Sequence, residues 1–123
     1  GAGAAPAEHG ATALNGAAFE ALVTGRTLAF GQRDAPYGME RYLPGRRVIW
    51  AYSGDLCRHG TWYEDAPGRI CFVYEHDPEP QCWRFYRGAE GVFATFEGEG
   101  GGLPVAVHES EAPLVCHTDA PAV

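Results

Sequence analysis

From Arg26 onward the apolar residues of this chain alternate with polar ones in short runs, and glycine, proline and acidic residues divide the runs every few positions. The pattern predicts strands over 26–30, 38–43, 46–52, 57–65, 69–75, 81–87, 91–97 and 103–109. The connections include Pro44-Gly45, Ser53-Gly54-Asp55, Ala66-Pro67-Gly68, Asp77-Pro78-Glu79-Pro80, Gly88-Ala89-Glu90 and Gly98 to Gly102, all short enough for hairpins. Short connections make sequential strands antiparallel neighbours, so the predicted architecture is an all-β antiparallel meander. About eight such strands curl and close, which removes the exposed edges of an open sheet. Ahead of them only NGAAFEALVTG has a helical period: Asn15 can cap it, Phe19, Leu22 and Val23 share one face, and Gly25 is placed to end it. Residues 1–13 are Ala/Gly/Pro-rich, with no side chains for a core, and read as a tail; 14–123 read as a single barrel domain.

The two central hairpins assign faces. A turn at Ala66-Pro67-Gly68 sets Trp62 near Cys71, and a second turn around Pro78 brings Cys71 opposite Cys82. A bond between those two cysteines puts Ile70, Phe72, Tyr74, Trp83 and Phe85 together on the other face, which is uniformly apolar and should be the core side. Cys57 and Cys116 are then left to pair. This is one of three connectivities that four cysteines allow, and it is the one that agrees with the strand spacing.

Composition narrows the class further. Nine basic residues, all arginine, stand against 16 acidic ones for a formal net charge of −7, which offers nucleic acid no basic stripe. Arginine-only basicity in an Ala/Gly/Pro-rich chain reflects codon composition and is no sign of anion binding. An even cysteine count without a C-x-x-C pair favours two disulfides over a zinc site, and with them an oxidising compartment. No apolar run approaches the ~18 residues of a membrane-spanning helix. The opening GAGAAPAEHGATA reads as the start of a mature exported chain, so periplasm or secretion is expected.

Gly60-Thr61-Trp62 resembles the G-x-W signature of lipocalins, avidins and related calycin barrels, in which the tryptophan packs across one end of the barrel. In those families the motif lies on the first strand, whereas here it falls mid-meander. Together with Cys71 and Cys82-Trp83, it is similar to small exported bacterial proteins of unknown function with a calycin-like build, over about residues 25–116. The resemblance implies a calycin-like barrel and no activity.

Chemistry-bearing residues do not assemble into a motif. The five histidines (His9, His59, His76, His108, His117) show neither H-x-x-x-H nor H-x-H spacing, so no metal is expected. Ser53 and Ser110 lack the setting of a nucleophile, and Glu64/Asp65 and Glu97/Glu99 read as solvated charges at strand ends. Gly98 to Gly102 lacks the Lys-Ser/Thr of a phosphate loop and reads as a hairpin tip. No catalytic residue and no cofactor is therefore expected. What the chain has in excess is aromatic residues: Trp50, Trp62, Phe72, Tyr74, Trp83 and Phe85, with Phe93 and Phe96 beyond them. The inward set either fills the barrel or lines a cup for a small apolar ligand, and the cup is the leading functional expectation. The alternative is a protein-interaction module, such as an enzyme inhibitor, acting through acidic tips at Asp77 to Glu79 and Gly98 to Gly102. A third reading, an enzyme, would need His59 with Glu64 or Glu75 in an open pocket.

Overall fold

Residues 10–117 are described by the computed structural model, so His9 and most of the expected tail lie outside the described residues. The elements in chain order are β1 (Thr12–Ala13), α1 (Gly16–Val23), β2 (Thr27–Gln32), β3 (Ala35–Leu43), β4 (Arg47–Tyr52), β5 (Arg58–Ala66), β6 (Arg69–Tyr74), β7 (Asp77–Gly88), β8 (Gly91–Phe96) and β9 (Val105–Glu109). From β2 to β9 each strand pairs antiparallel with the next, and β9 returns to β2 through Leu28↔Glu109 to Phe30↔Val107. The result is a closed eight-stranded up-and-down barrel, the expected fold. Within the span read as tail, Thr12 and Ala13 pair with Arg87 and Tyr86 on the side of β7 that β6 has left free.

Alternation sorts the side chains. Ile70 lies opposite Trp83 and Cys71 opposite Cys82, so the cysteines face outward while Ile70, Phe72 and Phe85 enter the buried core. Cys71 and Cys82 are bonded, with Cα atoms 3.9 Å apart, and Cys57 is bonded to Cys116. The β5–β6 register differs from expectation by one residue. Trp62 pairs with Phe72, not Cys71, because Asp65 is an extra residue in β5 between Glu64↔Ile70 and Ala66↔Arg69. That bulge turns Trp62 to the inner face; without it the ring would face outward beside sulfur. The β6–β7 turn is also displaced. The chain reverses at Glu75-His76, with His76 at a left-handed φ of +67°, and Pro78-Glu79-Pro80 bulge out of β7 between Tyr74↔Asp77 and Phe72↔Gln81. Bulges and strand edges are where proline is tolerated, since it donates no ladder hydrogen bond.

The helix closes one end. Asn15 Oδ1 accepts from Ala18 N at 2.8 Å, Thr24 N returns to Glu20 O at 3.1 Å, and Gly25 at φ +84° turns the chain into β2. Phe19 and Val23 are fully buried. The Phe19 ring meets Phe85 at 4.4 Å, Trp62 at 5.0 Å and Tyr42 at 5.7 Å, the last two edge-on. Over the Trp62 ring lies the Arg46 guanidinium, 4.3 Å from its centre and bonded to Glu20 Oε1 at 3.0 and 3.1 Å. Arg46 holds φ at +58°, a conformation uncommon outside glycine, and these contacts fix it there. Glu64, read from sequence as a solvated charge, is a structural acceptor: its Oε2 takes Gly16 N and Gly68 N, each at 2.8 Å, tying the helix start to the β5–β6 turn. Those backbone donors, Gly68 foremost, hold its carboxyl below the usual range.

The chain after β9 is strapped across the outside. Ser110 Oγ meets Met39 Sδ at 3.6 Å, and the segment ends with Cys116 on Cys57 and a bridge between Leu56 and His117. Met39 lies between Ala29 and Ala51 in one lateral row of the outer face, and both alanines are buried. Residue separations of 59 and 11 make the two disulfides unequal. By loop-closure entropy, replacing Cys57/Cys116 with alanine should cost about 4 kcal/mol and Cys71/Cys82 about 3, so urea midpoints should fall further for the first pair. Phe19→Ala should cost about 3–5 kcal/mol in the same assay, the range for emptying a fully packed phenylalanine site.

Candidate functional site

With α1 filling one end, the opposite half of the barrel stays hollow. It encloses a cavity of about 370 Å³ that opens between the β4–β5, β6–β7 and β8–β9 connections. That volume lies at the small end of ordinary ligand pockets, about 300–1,000 Å³. Its inner wall is Phe30, Trp50, Phe72, Tyr74, Trp83, Phe85 and Phe96; its mouth is Tyr37, Tyr52, Arg58, Asp77, Gly100, Gly101 and Leu103. Leu103 is 82% exposed at this rim, an apolar side chain with no cover of its own.

Two inward glycines clear the space for the wall. A Cβ on Gly38 would stand 2.5 Å from Cη2 and Cζ2 of Trp50, and one on Gly60 would stand 2.9 Å from the Tyr74 ring and 2.3 Å from Val73 O. Each glycine sits directly across from or beside a large aromatic ring that uses its missing side chain. Tyr37 reaches the mouth by another route. It is the extra residue of a β3 bulge opposite Gly31, whose φ of +111° lets the backbone bend there.

One wall residue is charged. Leu28, Glu40, Trp50 and Arg58 are successive partners across β2 to β5, so Glu40 points inward beside Trp50, and it is only 2% exposed. Tyr42 Oη donates to Glu40 Oε1 at 2.8 Å, and Tyr74 Oη donates to Oε2. Burial raises the Glu40 carboxyl from 4.5 to about 7, against the opposing pull of the Tyr74 and Tyr42 hydroxyls. The same burial, reinforced by the Glu40 charge, pushes both tyrosines far above their ordinary value. Tyr37 is raised too, by burial first and then by Tyr52 and Glu40.

Of the six aromatics expected at a ligand site, Trp50, Phe72, Tyr74, Trp83 and Phe85 converge on this cavity. Trp62 does not: it lies in the plugged end against Phe19. Phe96 joins the wall at 5.2 Å from Trp83, while Phe93 stacks on Tyr86 at 5.2 Å on the outer face. Sequence reasoning missed Glu40, Tyr42, Tyr37 and Phe30. The signal for Glu40 was its alternation with Gly38 and Tyr42, but Met39 and Leu43 on the opposite parity gave the strand two faces of comparable apolarity. The other candidate chemistry stays apart. His59 presents its backbone N–H, at 3.4 Å, to Glu75 Oε1, and Glu64 lies at the helix end. Asp65 approaches the sulfurs of Cys71 and Cys82, but these are bonded to each other and offer no thiolate. Among the described residues no helix is long and apolar enough to cross a membrane.

Set against protein-family models, curated proteins and solved structures, the chain matches none of them. The reading of the cup therefore rests on its own geometry.

Glu40 carries a pH signature. Between pH 4.5 and 7 the unfolded chain gives up this proton before the folded one does, so rising pH destabilises the barrel across that window. The size is about 3 kcal/mol, from 2.5 pH units at 1.36 kcal/mol each. Glu40→Gln removes the titration, so urea denaturation should show the variant gaining about that much on the wild type between pH 4.5 and about 8. A difference that does not move with pH would place the carboxylate in water.

Proposed function

We propose that this protein is an exported, non-enzymatic binding protein of calycin-like build that holds one small, mostly apolar molecule in the aromatic cup. The observation that carries this reading is the cavity of about 370 Å³, closed at its base by the Phe19-plugged core and lined by convergent aromatic side chains. The apolar wall suits desolvation of a compact body, each buried Å² contributing roughly 25 cal/mol. Two disulfides fit an oxidising setting, which supports the periplasm or the extracellular space. Calycin-like kinship rests on the Gly60-Thr61-Trp62 pattern and on Trp62 packing across the plugged end, as that resemblance implies.

The alternative, a protein-interaction module working through acidic tips, places its contacts on the same loops. Asp77, Gly100 and Gly101 form the mouth of the cup, so those loops are accounted for as its rim, and a packed interior is not what lies behind them.

Trp50 and Trp83 line the cup and Trp62 does not, which makes the test spatially resolved. Tryptophan emission should change saturably with at least one member of a panel of fatty alcohols, naphthoquinones and two-ring aromatics. The response should vanish in Trp50→Phe/Trp83→Phe, with Trp62 left as an internal reference. No response to any member, or a response that survives the double substitution, would remove the cup as the binding site.

A further inference from the structure

A compact apolar body accounts for the walls of the cup but leaves Glu40 unexplained. Burying a carboxylate without a counter-charge is unfavourable, and such groups are ordinarily paired. The four ion pairs among the described residues join Arg26 to Glu109, Arg46 to Glu20, Arg69 to Asp65 and Arg84 to Glu97, none of them at Glu40. Arg58, the one arginine on the cavity, lies exposed at the mouth with its guanidinium 5.9 Å from the Tyr52 ring. Each Glu40 oxygen receives one tyrosine hydroxyl and keeps a further lone pair, and the residue is part of the cavity wall. Around that spare acceptor stand the rings of Trp50 and Tyr74, whose faces attract cations. At long range a formal net charge of −7 draws cations and repels anions.

We infer that the natural occupant of the cup is an arylalkyl or alkyl amine, its apolar body against the aromatic wall and its single ammonium group on the Glu40 carboxylate. This rests on the cup being a ligand site. The amine donates into the lone pairs that Tyr42 and Tyr74 leave free, and the two tyrosines act as positioning residues that hold the carboxylate toward the cavity. Glu40 must be ionised to take the ammonium, so binding is linked to pH. The groups facing it or sharing its cavity are Tyr42 and Tyr37 from its own strand, Tyr52 from β4, Arg58 from β5, Tyr74 from β6 and Asp77 from β7. Tyr37, Tyr42 and Tyr74, all raised, stay protonated through neutral pH, while the Glu40 carboxyl titrates near 7.

Three probes with one body and different heads decide the matter: 2-(1-naphthyl)ethylamine, 2-(1-naphthyl)ethanol and 1-naphthylacetate, titrated calorimetrically into the intact protein. At pH 8 the amine should bind about tenfold or more tighter than the alcohol, with the acetate weakest. With the carboxyl near 7, ionised Glu40 falls from about nine-tenths at pH 8 to about one-tenth at pH 6, so amine affinity should drop about tenfold while the alcohol's stays level. Glu40→Gln should abolish the amine's advantage over the alcohol; the wild-type pH series answers the question even if that variant fails to fold. Equal binding of amine and alcohol would overturn the amine assignment and leave the cup intact. Tightest binding of the acetate would also overturn it, pointing to Arg58 as the recognising charge. Failure of all three to bind would overturn the cup and the amine together.

Discussion

Everything in this barrel depends on where Phe19 goes. Its ring enters one end of the closed sheet and meets Tyr42, Trp62 and Phe85 at contact distance, so that end is packed solid. A single helix of eight residues can fill only that half. The other half, ringed by the aromatic side chains that face inward beyond the plug, remains a cup. Tyr42 marks the boundary between the two: one edge of its ring rests on Phe19, and its hydroxyl reaches forward to Glu40.

The interior is tuned at the cup as much by what is missing as by what is present. Gly38 and Gly60 remove side chains where Trp50 and Tyr74 need room, and the Tyr74 ring, so placed, delivers its hydroxyl to the carboxylate. Gly60 is the first residue of the Gly60-Thr61-Trp62 triplet, which gives that triplet two separate jobs. Its glycine serves the hollow half, and its tryptophan, two residues on and on the same face, serves the filled half. The expectation of a purely apolar site was therefore incomplete: the aromatic wall is there, with one acid built into it.

Two of the departures from the sequence reading share one cause. An inserted residue in a strand shifts the pairing of everything on its far side from the turn and so changes which face those residues take, and alternation by itself does not reveal it. Asp65 does this for Trp62, and Tyr37 turns its own ring to the mouth by the same means. The Pro78-Glu79-Pro80 bulge is a third insertion: its turn signal is expected to reverse the chain, but the reversal lies just before it at Glu75-His76.

What the amino-acid order determined alone was whatever depends on near neighbours: the run of hairpins that must close, the capped helix from Asn15, and the faces of β6 and β7, since Cys71 and Cys82 bond only from the same side. The exclusion of a local metal or nucleophile motif belongs there too. Only the tertiary structure decided that Trp62 belongs to the plugged end, that five other aromatics share one cavity, and that Glu40 is buried among tyrosine hydroxyls. The physical reason is that burial of a charge and clearance for a ring are properties of residues brought together from different strands. Glu40, Tyr74 and Gly60 are far apart along the chain, and no period within one strand records that they meet.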